Sequence, residues 1–304
     1  MSEVSILPEQ TETTESSNDL SHTEATTEAQ AENNHQEEIV HEHTLFAEPL
    51  FEFGPLTVTN SLLTSWLALF IILIVGLIFR LRLSTVPKKL QNVVEMTMEK
   101  FLEIFDAVTG SRERSIKLAP FVMSFFVLIL INNWLGLIPG VGSIGQIAMH
   151  NGHQTFIPFL RGGTADLNTT LALASIAVVA SHIFGVVAVG AWNYLNKFIN
   201  IKAILEIPKK IRKDPTIIFV NPIKAFVGLI EVIGEVAKVA SLSFRLFGNI
   251  FAGEVLLASM SAIIAFAVPI PFMFLEIIVG LIQALIFAIL VLIYVSISTT
   301  AEEH

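Results

Sequence analysis

Three apolar runs, each about 20 residues long, dominate the first two-thirds of the chain: residues 62–83, 118–139 and 167–192. A helix rises about 1.5 Å per residue, so about 20 residues span the ~30 Å hydrocarbon core of a bilayer. Backbone N–H and C=O groups left unpaired in hydrocarbon are very costly, so runs of this kind must be helical. The expectation is an all-α integral membrane protein. Composition agrees: 53% of the 304 residues are apolar, against about 45–50% in soluble domains.

The chain begins differently. Residues 1–48 carry twelve Asp or Glu, four His and no Lys or Arg. Too little apolar surface is present there to offset chain entropy, so a disordered acidic tail is expected. Its histidines, His22, His35, His41 and His43, have metal-ligand chemistry but no folded frame, and a solvated tail is the preferred reading. The start is acidic rather than basic and apolar, so it does not read as a secretion signal. Residues 49–304 are read as one membrane domain.

Between the first two runs, residues 84–117 alternate Val93, Val94, Met98, Phe101, Leu102 and Phe105 with charged residues at helical spacing. That pattern predicts an amphipathic helix on the membrane surface. A glycine-rich loop occupies residues 140–163, and a basic stretch follows the third run at 197–213. Residues 222–266 and 272–300 read as two further helices broken by Val268-Pro-Ile-Pro271. Their lengths would be roughly 65 Å and 43 Å. Both exceed the bilayer core, so a steeply tilted hairpin is expected.

Lys and Arg counts alternate along the chain: none in residues 1–60, eight in 80–117, one in 139–166 and six in 193–221. Basic residues are retained on the cytoplasmic side. Three single spans plus the hairpin then place the N-terminus outside and the C-terminus in the cytoplasm.

The hairpin carries charges that lipid would not tolerate: Glu231, Glu235, Lys238, Arg245, Glu254 and Glu276. Each would cost about 2.5–3.5 kcal/mol at the bilayer centre on insertion scales. They must face protein, water or one another. Glu231, Lys238 and Arg245 are spaced by sevens and share one helix face with Asn249. Gly234, Ser241, Gly248 and Ala252 lie on the same stripe, where small side chains admit another backbone. Glu254, nine residues past Arg245, falls on the opposite face. Glu276, Gln283 and Tyr294 form a polar stripe on the last helix. Glu231, Glu235 and Lys238 fit internal ion pairs as well as an ion path. His182 is read first as a packed core histidine and second as a proton relay. Arg245 stays charged, and no acid lies three or four residues from it.

Ser241-Leu-Ser-Phe-Arg245-Leu-Phe-Gly-Asn-Ile-Phe-Ala-Gly-Glu254 closely resembles the signature of F-type ATP synthase subunit a. Asn133-Trp-Leu-Gly-Leu-Ile-Pro139, Thr164-Ala-Asp-Leu-Asn-Thr-Thr-Leu171 and the surroundings of Gln283 extend the resemblance over roughly residues 50–304. The resemblance implies a stator subunit of an energy-transducing membrane, such as the bacterial plasma membrane. Its partners would be a ring of c subunits, peripheral-stalk b subunits and, indirectly, the F1 sector. It would supply two ion half-channels, proton or sodium, to carboxylates on the ring. Arg245 matches the family's essential arginine. Glu254, Glu276, Asn249 and Gln283 fall on half-channel positions, with Glu231, Lys238, Ser241, Tyr294 and His182 in support. Some family members have a His and a Glu where this chain has Glu254 and Glu276, so two coupled carboxylates are expected here.

The rival expectation is a secondary transporter or channel acting alone. It would explain the buried charges, but such proteins often carry internal repeats, and none is visible. Copurification with a ring and stalk separates the two. The chain contains no cysteine, which excludes disulfides and thiolate chemistry. It also lacks a Gly-Lys-Ser/Thr phosphate loop, so nucleotide chemistry is expected of partner subunits. No cofactor or metal site is expected.

Overall fold

The computed structural model describes residues 44–54, 56–84, 89–150, 153–199, 217–264 and 267–300. Nearly all of the acidic tail and most of the basic stretch lie outside the described residues. The helices are α1 (Asn60–Arg82), α2 (Lys89–Thr109), α3 (Arg112–Gly136), α4 (Leu167–Val189), α5 (Ala191–Ile199), α6 (Ile217–Ile263) and α7 (Pro269–Thr299). Five of them are long and apolar enough to cross a membrane: α1, α3, α4, α7 and the Phe226–Ile263 part of α6.

Local chemistry explains where these helices begin and end. Thr59 caps α1, its hydroxyl accepting from the Leu62 N–H. Asp166 caps α4 by accepting from the N–H groups of Asn168 and Thr169. Such caps satisfy donors that a helix start leaves orphaned. Pro269 and Pro271 occupy the first turn of α7, where a missing N–H is harmless. The amphipathic segment expected over 84–117 is divided. It stops at Gly110, whose φ of +67° suits glycine, and residues 112–117 belong to α3 instead. The run 167–192 divides likewise at Gly190, which separates α4 from α5.

The chain is mostly helical, as expected, and adds two short two-stranded sheets among the described residues. In the first, β1 (Pro49–Phe53) pairs with β2 (Leu56–Thr59), with Phe51 opposite Val58 and Glu52 opposite Thr57. Along β2, exposed Thr57 is followed by buried Val58, and on β1 the register shifts at buried Leu50. This alternation, with Thr and Val in succession, is strand chemistry. The second hairpin, β3 (Gly145–His150) and β4 (His153–Pro158), lies within the loop expected over 140–163. Residues 145–157 fall outside the compact unit that contains the helices.

The core of the helical unit is a cluster of Phe105, Val122, Phe125, Ile129, Leu242, Leu246, Phe287 and Val291 with small neighbours such as Ala174 and Ala284. Phe125 of α3 meets Phe287 of α7 at 5.7 Å between ring centres, and Phe121 meets Phe184 of α4 at 5.3 Å. Each tilted or edge-on pair adds about 0.5–1.5 kcal/mol beyond its burial. α1 packs more lightly, leaving Trp66, Leu69, Phe70, Leu73, Val75 and Leu77 exposed. A bare apolar face of this extent suits lipid.

Candidate functional site

Arg245 lies on an open face of α6. Ser241, Arg245, Gly248, Asn249 and Ala252 are all exposed along it. A Cβ added at Gly234 or Gly248 would meet nothing within 4 Å. Among the described residues the guanidinium makes one weak hydrogen bond, to the Ser241 hydroxyl at 3.5 Å, and no ion pair with a carboxylate. The opposite side of the same turn is closed: Leu242, Ser243 and Leu246 are buried, and the Ser243 hydroxyl lies 3.1 Å from that of Thr170 on α4. Helical spacing thus turns one permanent charge outward while its neighbours knit α6 to α4.

Glu254 and Glu276 point inward. The carboxylate of Glu254 receives Nε of Arg161 at 3.0 Å and Nη2 at 2.8 Å, the two-pronged geometry that makes guanidinium–carboxylate pairs strong. Arg161 also donates to the carbonyls of Thr44 at 2.9 Å and Phe46 at 3.3 Å. Residues 44–48, grouped with the tail by composition, are therefore held in place. Ala47 N–H adds a bond to Asp166. Glu276 of α7 is 7% exposed and lies against the backbone of α6 at Gly253, where a Cβ would collide with its carboxyl group. One level along, Asn249 donates to Gln283 at 2.6 Å. Gln283 is buried, and its Nε2 has no partner among the described residues.

These groups rest on a polar frame. Asn133 donates to the Gly280 carbonyl of α7 at 3.1 Å and accepts from Thr164. Ser65 of α1 donates to Asn132 at 3.2 Å, and Ser61 donates to Asp166 at 3.2 Å. Thr64 accepts from the Arg161 N–H at 3.1 Å. Unsatisfied buried polar groups are costly, so bonds of this kind specify the packing. The segments 133–139 and 164–171, quoted above for the resemblance, supply much of the frame.

A second polar group lies nearer the start of α6. Glu235 pairs with Lys238 at 2.7 Å and faces Nε2 of His182 at 3.5 Å. His182 Nδ1 lies 2.6 Å from the Tyr194 hydroxyl. Lys238 sits 5.2 Å above the Tyr294 ring, close enough for cation–π attraction. Glu235 and Lys238 form the internal pair weighed above, and Glu231 has an interaction of its own. His182 joins α4, α5 and α6 rather than sitting in a purely apolar core.

The structure thus brings Asn249 to Gln283 and Glu276 to the backbone beside Glu254, while Arg245 stands apart on the outer face. The expectation of two mutually coupled carboxylates omitted a cation. Arg161 was counted only among loop charges. Its signal was there: it is the lone basic residue in its loop, beside Gly162 and Gly163.

Five apolar helices with charged side chains set inside the spans define a multi-pass protein of the ion-handling, membrane-complex class. A profile of the family described as ATP synthase A chain matches residues 62–296. The chain is 31% identical over 256 residues to ATP synthase subunit a of Syntrophobacter fumaroxidans, covering 83% of this chain and 89% of that one. It is 32% identical over 244 residues to the chloroplastic subunit a of Stigeoclonium helveticum, covering 80% and 85%. For Moorella thermoacetica subunit a the identity is 28% over 248 residues, covering 81% and 94%. The chain belongs to the ATP synthase A chain family, subunits of the F-type ATP synthase membrane sector. It is a subunit of an energy-transducing membrane complex, serving ATP synthesis and ion transport.

Proposed function

We propose that this chain carries ions to and from a ring of c subunits through two offset half-channels, with Arg245 keeping them apart. α6 and α7, about 70 Å and 47 Å long, cross the bilayer as a steeply tilted hairpin with the open face of α6 against the ring. Glu254, Glu276, Asn249 and Gln283 serve the extracytoplasmic inlet. His182, Glu235, Lys238 and Tyr294 serve the cytoplasmic outlet, with Glu231 and Ser241 in support. A ring carboxylate loses its ion to the outlet, passes Arg245 as an anion, and regains an ion from the inlet. Each charge crossing releases about 2.3 kcal/mol per 100 mV. The peripheral-stalk b subunits hold the chain still, and nucleotide chemistry resides in F1. The acidic tail faces outward and the C-terminus the cytoplasm.

The observation that carries this reading is the setting of Arg245. It is a fixed cation on an exposed, small-residue face, hydrogen-bonded among the described residues only to a neutral hydroxyl, while Glu235 and Glu254 are turned to partners elsewhere. A passing carboxylate from another chain completes it. Arg245→Ala should abolish driven ATP synthesis in vesicles and raise passive ion leak, with the complex still assembled. Arg245→Lys should fail too, since an ammonium lacks the planar fork and is more tightly hydrated. Normal synthesis with alanine would refute the mechanism. Loss of assembly would make Arg245 a structural ion-pair partner instead.

A further inference from the structure

We propose that Arg161 is the standing counter-charge of Glu254, and that this pair leaves Glu276 as the carboxylate that takes up and passes on the ion at the inlet. This division of labour rests on the two-path reading above and assigns unequal roles to two acids that the sequence makes look equivalent.

The argument begins with charge. Two ionised carboxylates packed into one low-dielectric region repel, and one cation can neutralise only one of them. Arg161 makes that choice. It is 7% exposed, it does not deprotonate, and it directs Nε and Nη2 onto Glu254. Two further donors bind the Thr44 and Phe46 carbonyls, and its backbone N–H is held by Thr64. The guanidinium is therefore held through four of its five donors. An ion landing on Glu254 would have to displace it and leave a buried cation unpaired, which is strongly unfavourable. Glu254 is thus a locked anion that fixes the inlet wall by tying α6 to the loop before α4 and to the chain before β1.

Glu276 is placed otherwise. It comes from α7, is nearly buried, and forms no ion pair among the described residues. Gly253, next to Glu254, opens the slot in which its carboxyl group lies. A carboxyl group without a standing partner can bind and release an ion with no competing charge to move aside. Arg161 and Gly253 are positioning residues in this scheme, and Glu276 is the exchanging group.

The test uses the assembled complex in inverted vesicles, with ATP-driven ion pumping as the readout. R161Q strands a half-buried carboxylate and should lower pumping by about tenfold or more. E254Q in the same chain removes that stranded charge, so R161Q/E254Q should recover to within about threefold of E254Q alone, the non-additivity of a touching pair. E276Q should abolish pumping. A merely structural role of Arg161, through the Thr44 and Phe46 carbonyls, would not be rescued by E254Q. A double variant no better than R161Q would overturn the proposal, and so would E254Q as inactive as E276Q, or E276Q that still pumps. If R161Q does not assemble, the double variant decides alone: assembled and pumping supports the pair, absent or inactive overturns it. The underlying two-path reading fails separately, if R245A still pumps.

Discussion

The hydroxyl of Tyr194 lies 2.6 Å from Nδ1 of His182, while the other ring nitrogen of His182 faces Glu235 at 3.5 Å. One imidazole thereby joins a phenol on α5 to a carboxylate on α6. Continuing through Lys238 to the Tyr294 ring, the chain of polar groups connects four helices. If this is the outlet, His182→Ala should reduce ATP-driven pumping severalfold in assembled complexes. Tyr194→Phe removes one hydrogen bond, worth about 1 kcal/mol, and should have the smaller effect. Unchanged pumping with alanine at 182 would return this histidine to a packing role.

Gly253 leaves room for the carboxyl group of Glu276. Gly253→Ala should push that group out of its slot at a packing cost of about 1–3 kcal/mol. The complex should assemble, with driven flux falling as far as in Glu276→Gln. Wild-type flux in the alanine variant would mean that the placement of Glu276 is not critical.

Outside the spans, Arg112 bridges Glu99 at 2.6 Å and Asp106 at 2.9 Å across the turn between α2 and α3. The neighbouring Ser115 hydroxyl and the Arg112 guanidinium hold the Asp106 carboxyl below its usual range. A depressed carboxylate contributes stability above its unfolded pKa, and that contribution fades as pH falls through the lower folded value. Acidification should therefore increase protease cleavage at residues 109–112. Asp106→Asn should be cleaved more readily at neutral pH and lose this part of the acid response. An identical acid response in the two proteins would exclude Asp106 as its source.

The absence of native cysteine makes topology directly measurable. Leu45 and Leu90 are 51% and 78% exposed. Leu45→Cys should react with a membrane-impermeant maleimide added to intact cells. Leu90→Cys should react only in inverted vesicles. The reverse pattern would invert the orientation read from the Lys and Arg counts.

The sequence by itself determined that this chain is a helical membrane protein, because runs of about 20 apolar residues have no other stable arrangement in hydrocarbon. Spacing alone also separated Arg245 from Glu254, since nine residues turn a helix about halfway round, and the structure finds one outward and the other inward. Local breaks were less legible. Glycine at 110 and 190 ends helices within segments whose periodicity reads straight through, because the pattern reports which face is apolar and not where the chain turns. Strands at 49–59 escaped notice beside a much stronger helical signal.

Only tertiary structure decided what each charge meets. Arg161 lies 93 positions from Glu254, and no periodicity relates residues on different elements. The slot for Glu276 is made by a glycine on another helix, and the partners of His182 come from α5 and α6. Helical geometry is set by neighbours along the chain, so sequence reveals it. Charge pairing depends on which elements pack together, and that is settled by the whole fold at once.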